Sequence, residues 1–341
     1  MNLKQLSQEL GLSQTTVSRA LNDYPEVSED TRQRVKRAAV KFNYRPNARA
    51  TGLATGRART IGHIIPMNST EVFNPIFGEF IAGASQTYST QGYELLLTMA
   101  QDSTEDAIYR QMASRKTVDG IIVHAPHIND SRITLLQELK LPFVIHGRDT
   151  TNTTEYAWID INNRRAFFQA TKLLIDLGHQ EIALINGKES LNFAARRKLG
   201  YLDALNQASI AADASLMFEG DLTEGNGYRA ATELLSSPDQ PTAFLVSSYM
   251  GALGVQRAIH NAGLTMGSDV SVIIHDDDLS YFHNSGDVPQ FTSTRSSVKE
   301  AGTLAAEMLL SIIDNPAAQL PKKLLEANLI IGASTGPRKQ P

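Results

Sequence analysis

From residue 60 to near the C-terminus, short apolar runs alternate with longer amphipathic stretches, and this alternation constrains the fold more than any other feature. Residues 61–65, 93–98, 120–124 and 142–146 read as buried strands. A helix over residues 76–91, closed by Gly92, separates the first two, and another lies between the last two. The pattern continues with strands at 158–161, 182–185, 243–247 and 270–275, and with helical spacing over 164–177, 194–207, 251–262 and 297–313. Strands alternating with helices of this length predict parallel sheets covered on both faces. The units are too many for one compact sheet, so two similar lobes are predicted. Such sheets take ligands at the carboxyl ends of their strands.

The first 45 residues are built differently. Leu3, Leu6 and Leu10 are spaced three and four apart, which puts them on one face of a helix. Gly11 permits a sharp turn, and Ser13 is placed to cap a second helix over residues 14–21. Val17, Ala20 and Leu21 face inward from it. Gln14, Thr15, Thr16, Ser18 and Arg19 face outward with amide, hydroxyl and guanidinium groups, an inventory suited to base edges and phosphates in a DNA major groove. An amphipathic helix with a solvated polar face is the alternative reading of this stretch taken alone. Ser28 then caps a third helix running to about Phe42, with Val35, Ala38, Ala39 and Phe42 as its buried stripe. Together these make a helix-turn-helix head, small enough to be only marginally stable by itself.

Charge divides the chain the same way. Residues 1–59 hold 11 Lys or Arg against 5 Asp or Glu, whereas residues 60–341 hold 21 against 31. A basic head on an acidic body is the footprint expected when only the head meets phosphate. The absence of cysteine excludes disulfide and thiolate chemistry. With no apolar run approaching the roughly 20 residues of a membrane span, and no signal-like N-terminus, the sequence predicts a cytoplasmic protein.

Three motifs in the head and the stretch after it carry a resemblance: Leu12-Ser13-x-x-Thr16-Val17-Ser18-Arg19-Ala20-Leu21-Asn22, Tyr44-Arg45-Pro46-Asn47, and Leu53-Ala54-Thr55-Gly56. In order and spacing they resemble the LacI/GalR family of bacterial transcription regulators. The resemblance implies that Gln14, Thr15 and Arg19 reach base edges. It implies that Ser13, Thr16, Ser18, Asn22, Ser28 and Thr31 help hold the DNA backbone, and that Tyr44, Asn47 and Ala50 add contacts. Leu53 would be the wedge of a hinge helix that pairs with its twin in the minor groove. Gly52 departs from the usual hinge and lowers its helicity by roughly 1 kcal/mol relative to Ala.

The body resembles the family more loosely, through Leu177-Gly178-His179-x-x-Ile182-Ala183, Arg197-x-x-Gly200-Tyr201-x-x-Ala204-Leu205, and Pro241-Thr242-Ala243-Phe244 with Ala252-Leu253-Gly254. The implied architecture is a small all-α helix-turn-helix head (residues 1–45), a hinge helix or linker (46–59), and an α/β two-lobed body of parallel sheets (60–341). That body would have the type I periplasmic-binding-protein fold, bind an effector between its lobes and dimerise. Arg197 would bridge ligand oxygens and Asp276 would accept from sugar hydroxyls, the two forming a charged pair at a cleft. A structural ion pair is the alternative. Phe73, Pro75 and Phe77 would provide an apolar wall or pack as core, and His146, Arg148 and Asp149 lie just past a strand end. Ser248 stands where relatives commonly carry Asn-Asp, and Ile274-His275-Asp276-Asp277 replaces a usual Gly-Tyr-Asp-Asp. The stretch 142–148 is similar to regulators responding to α-glucosides.

The implied function is a homodimeric, sequence-specific repressor of sugar-utilisation genes. It would bind a near-palindromic double-stranded operator and be released by a mono- or disaccharide, with no cofactor, metal or membrane involved. No catalytic residue is expected. The sequence Gly332-Ala333-Ser334-Thr335-Gly336 fits a nucleophile-elbow pattern, but no histidine follows it. Consecutive acids in His275-Asp276-Asp277-Asp278 point in different directions, which argues against a metal site. The competing reading is a sugar-binding or sugar-processing protein whose N-terminal helices mediate protein contacts.

Overall fold

Side-chain caps define the head. Asn2 and Gln5 exchange hydrogen bonds as a capping box at the start of α1 (Leu3–Leu10), and Gly11 ends that helix at φ 63°, where a side chain would be strained. Ser13 accepts from Thr16 N at the start of α2 (Gln14–Leu21), and Ser28 accepts from Thr31 N at the start of α3 (Glu29–Lys41). Leu6, Leu10, Val17, Ala20, Val27, Val35 and Ala39 are buried together as one small core, with Leu3, Leu21, Ala38 and Phe42 at its edge. Arg34 donates to the Leu10 carbonyl at 2.7 Å, satisfying a helix-end acceptor. The computed structural model describes residues 1–44, 56–66, 75–101, 104–282 and 284–339. The chain forms two compact units, Met1–Arg59 and Thr60–Pro341. The expected hinge positions Asn47, Ala50, Gly52 and Leu53, and the expected wall residue Phe73, lie outside the described residues.

The second unit opens with β1 (Thr60–Pro66), α4 (Pro75–Thr90), β2 (Glu94–Ala100), α5 (Glu105–Arg115), β3 (Gly120–His124), α6 (Ser131–Glu138), β4 (Phe143–His146) and β5 (Trp158–Ile161). It continues with α7 (Asn163–Asp176), β6 (Ile182–Asn186), α8 (Asn192–Gln207), β7 (Met217–Glu219), α9 (Glu224–Leu235), β8 (Ala243–Val246), α10 (Tyr249–Asn261), β9 (Ser271–Asp276) and β10 (Thr292–Arg295). Last come α11 (Val298–Asp314), β11 (Lys322–Leu325) and β12 (Asn328–Ile330). Two six-stranded sheets result, ordered β11-β5-β4-β3-β1-β2 in lobe 1 and β12-β10-β9-β8-β6-β7 in lobe 2. Every pair in lobe 1 is parallel. Lobe 2 departs from the all-parallel expectation, because β12 pairs antiparallel with β10.

The chain passes between lobes three times, at β5 to α7, β10 to α11, and β11 to β12. Each sheet is covered on both faces, as buried parallel strands require. In lobe 1, α4 and α11 lay Phe80, Ala84, Ala301, Ala305 and Leu309 against Ile61, Ile122 and Val144, while α5 and α6 cover the other face. In lobe 2, α9 and α10 cover one face, and α7 and α8 the other. Helix pairs cross on glycine: a Cβ on Gly302 would strike the Phe80 carbonyl, and one on Gly254 the Glu224 carbonyl. Among the described residues, no helix is long and apolar enough to cross a membrane.

Candidate DNA-reading surface and inter-lobe site

On α2, Gln14, Thr15 and Arg19 are exposed, and Thr15 and Arg19 stand one turn apart on the same face. Thr16 and Ser18 are half-buried beside them. Ser13 Oγ lies 2.9 Å from Thr16 Oγ1, Ser28 Oγ donates to Thr31 Oγ1 at 2.9 Å, and the Asn22 amide donates to the Ser18 carbonyl at 2.8 Å. These five polar side chains therefore brace the ends of α2 and α3. Tyr44 packs against the head core, and partial burial pushes its hydroxyl pKa up.

In the body, polar side chains gather where the two sheets present their carboxyl ends to one another. Arg197 projects from α8 and is 5 % exposed. Its Nη1 donates to the Ser247 carbonyl at 2.7 Å and its Nε to Asn163 Oδ1 at 2.8 Å. The guanidinium carbon lies 5.1 Å from the Phe167 ring centroid and 5.0 Å from that of Phe193. Burial lowers the Arg197 pKa to about 10, which leaves it charged at neutral pH. The expected charged pair with Asp276 is not formed. Asp276 Oδ2 instead accepts from Arg295 Nε at 3.0 Å, and Oδ1 accepts from Asp278 N at 3.0 Å.

The carboxylate that faces the Arg197 charge belongs to the next residue. Burial works against an ionised Asp277, but His275 at 3.4 Å, together with the Arg197 and His146 side chains, holds its pKa below the ordinary carboxylate range. A strand turns alternate residues to opposite sides, and sequence alone cannot say which of two adjacent acids leaves the strand end toward the cleft. His275 itself is kept neutral by burial and by Arg197, and its Nδ1 lies 3.1 Å from Thr294 Oγ1. The Ser248 hydroxyl is spent within lobe 2, where it accepts from Gly251 N at 3.0 Å as the cap of α10.

Lobe 1 supplies His146 at the end of β4, where Phe80 lies against the ring at a centroid distance of 4.4 Å. Burial takes the His146 pKa down to about 4, against the opposing pull of Asp160 and Asp277. Phe77 packs edge-on to His124 at 5.1 Å, so it belongs to the same wall. Asp149 accepts from Thr151 and Asp130 and shapes its own loop. Arg148 lies over Trp158 and meets Asp160 Oδ2 at 3.0 Å. Asp160 also meets Arg196 of lobe 2 at 2.5 Å, an ion pair across the lobes. The contact is close but poorly directed, because neither atom makes an aligned hydrogen bond. Asn192 adds a second cross-lobe tie: its backbone N–H donates to the Pro126 carbonyl at 3.0 Å and its amide to the His127 carbonyl at 2.6 Å.

Sequence reasoning did not single out Asp277, Asp160, Arg196, His63 or His124. His63 carried a signal, since a histidine in the middle of an apolar strand needs polar partners. Ser334, at the rejected nucleophile pattern, is fully buried. It donates to the Val272 carbonyl and accepts from Thr292 N at 2.8 Å, a structural role.

Residues 2–47 match the family described as bacterial regulatory proteins, lacI family, and residues 171–335 match the periplasmic binding protein-like domain. The HTH-type transcriptional regulator AglR of Rhizobium meliloti (strain 1021) is 42 % identical over 337 residues, covering 99 % of this chain and 95 % of that protein. The chain belongs to the LacI family of bacterial regulatory proteins. Two solved structures of this family bear on the site. The transcriptional regulator CelR in complex with cellobiose superposes with a TM-score of 0.73 at 27 % identity, covering 98 % of this chain and 99 % of that one. The lac repressor dimer bound to operator and the anti-inducer ONPF gives 0.84 at 25 % identity, with the same coverage of 98 % and 99 %. This LacI-family chain is a transcriptional regulator with a helix-turn-helix head and a two-lobed α/β body.

Proposed function

We propose that this regulator is a homodimeric, cytoplasmic repressor of sugar-utilisation genes, released from a near-palindromic operator by a mono- or disaccharide. The observation that carries the reading is the buried Arg197 guanidinium, held over the Phe167 and Phe193 rings, with the Asp277 carboxylate feeling both Arg197 and His146 of the other lobe. A guanidinium fork and an imidazole on opposite walls suit an uncharged polyol, which needs donors and acceptors from both sides but no net countercharge. The family neighbour CelR holds cellobiose, which supports a carbohydrate effector. Arg197, His146 and Asp277 contact the sugar in this reading, with Phe77 and Arg148 at its edge and Ser248 and Asp276 behind it. Phe73 retains its proposed place in the wall.

In the head, Gln14, Thr15 and Arg19 read bases. Ser13, Thr16, Ser18, Asn22, Ser28, Thr31 and Tyr44 hold the backbone, joined by Asn47, Ala50 and Leu53 from the hinge at 46–59. Sugar binding favours one lobe arrangement and that arrangement disfavours paired hinges, so by linkage the operator weakens sugar binding by the same factor. The role requires no catalytic step.

Two measurements test this. A thermal-shift screen of mono- and disaccharides should find a stabilising sugar whose shift disappears in Arg197→Ala; a shift retained by that variant sinks the assigned site. Arg19→Ala should abolish operator-specific retardation while sugar affinity is kept. Full-length protein with no salt-dependent DNA affinity would contradict the DNA-reading half.

A further inference from the structure

A line of hydrogen bonds runs through lobe 1 from the last turn of α4 to the inter-lobe site. The Tyr88 hydroxyl lies 3.0 Å from His63 Nε2, His63 Nδ1 lies 3.0 Å from His124 Nε2, and His124 Nδ1 lies 3.3 Å from His146 Nδ1. Both ring nitrogens of His63 and of His124 are engaged inside this line, so they aim at one another and not at a shared point where a metal would sit. Only His146 Nε2 has no partner among the described residues. Phe77 and Phe80 pack edge-on to the His63 and His124 rings; His63 is fully buried and His124 half-buried.

Burial keeps all three imidazoles neutral, with pKa values pushed down from 6.5 in each case. A neutral imidazole carries one N–H and one lone pair, so the tautomer of each ring dictates that of the next. Only two arrangements make all three hydrogen bonds. In the first, the Tyr88 O–H donates to His63 Nε2, His63 Nδ1–H donates to His124 Nε2, and His124 Nδ1–H donates to His146 Nδ1. His146 is then left with its own proton on Nε2. In the second, every bond reverses and His146 Nε2 becomes a bare lone pair. The reversal strands the Tyr88 hydroxyl proton, because that group is buried and has His63 as its one hydrogen-bond partner among the described residues. An unsatisfied buried donor disfavours the second arrangement by roughly fivefold to a hundredfold. The Asp160 and Asp277 charges act on His146 in the direction of proton binding.

We propose that Tyr88, His63 and His124 are positioning residues that fix His146 as an Nε2–H donor. The ligand atom it meets must then be an acceptor, such as the hydroxyl or ring oxygen of a neutral sugar. The ligand half of this rests on the sugar reading above; the tautomer half does not. Specificity on the lobe-1 side is thus set from Tyr88, three side chains away.

The test is a long-range proton–nitrogen correlation spectrum of the full-length protein, labelled with nitrogen-15 histidine, at pH 7 without ligand. Signals are assigned by single histidine replacements among the 8 histidines. His63 and His124 should carry their protons on Nδ1, and His146 on Nε2. Tyr88→Phe should bring up a second population with His124 protonated on Nε2, and should weaken maltose binding in calorimetry in proportion to the fraction that has switched, about twofold at equal populations. A wild-type His146 protonated on Nδ1, or doubly protonated, overturns the proposal. So does Tyr88→Phe with unchanged tautomers, which would put control at the Asp160 and Asp277 end. Wild-type protein that shows the stated tautomers but binds no sugar would overturn the sugar reading and the ligand half alone.

Discussion

Lobe 1 and lobe 2 repeat one plan, a six-stranded sheet covered by helix pairs, but they finish it with opposite chemistry. Lobe 1 presents a row of neutral rings, His63, His124 and His146 bonded in line and walled by Phe77 and Phe80, with the Arg148–Asp160 ion pair at its edge. Lobe 2 ends in charge: Arg197 with Asp277, and Arg295 with Asp276. The contrast follows from how each lobe solves the problem of polar atoms under cover. Imidazoles avoid the desolvation penalty by staying neutral and bonding to each other, whereas a guanidinium stays charged and must have acceptors and a countercharge nearby. One wall can therefore orient a ligand oxygen by direction, and the other can bind it by charge.

Among the described residues, Asp160 and Arg196 form the ion pair that joins the two lobes. Asp160→Ala should leave Arg196 buried without its partner and destabilise the body by about 3–5 kcal/mol, the usual consequence of removing half of a buried pair. Urea denaturation measures it. A loss below about 1 kcal/mol, as for a surface pair, would mean that the lobes are held together elsewhere, for example at Asn192.

Both lobes pack helix pairs at glycine crossings. Gly302→Ala in lobe 1 and Gly254→Ala in lobe 2 should each cost about 1–3 kcal/mol, because the new methyl meets a backbone carbonyl that cannot rotate away. Gly225→Ala on α9, where no atom lies within 4 Å of the new carbon, should instead be neutral or stabilising. Equal effects at all three positions would contradict the close helix crossings.

Acid should affect lobe 1 through its imidazoles. His63 and His146 have folded-state pKa values of about 3 and about 4, below the unfolded 6.5, so the unfolded chain binds protons first as pH falls. Their contribution is fully present above pH 6.5 and is lost as pH drops toward 4, at about 1.4 kcal/mol per pH unit for each ring. His179 and His275 of lobe 2 are depressed in the same direction. The pH dependence of the urea midpoint should accordingly flatten in His146→Asn, and an unchanged slope would show that this ring is not held neutral.

Much of this molecule was legible in the residues. Helix caps at Ser13 and Ser28, the turn at Gly11 and the strand–helix alternation all follow from local chemistry, and Arg197 follows from the resemblance. What was illegible has physical causes. β10, Thr292–Arg295, contains no apolar residue yet is almost wholly buried, because its hydroxyls bond to Gly332, Thr335 and His275. β11 and β12 are short edge strands whose exposed residues carry no burial pattern. The line from Tyr88 to His146 depends on bringing β1, β3 and β4 side by side, and the order of strands in a sheet is not written in any one of them.

In the proposed function one sugar is held from both lobes, by charge on one side and by a directed donor on the other. Calorimetric titration of the sugar that scores best in the thermal-shift screen should be run on wild type, Arg197→Ala, His146→Ala and the double variant. Each single change should weaken binding at least tenfold, and the double variant should lose less than the product of the two, since contacts to one ligand are coupled. Unchanged affinity in His146→Ala, with binding lost in Arg197→Ala, would confine the site to lobe 2 and overturn two-sided binding.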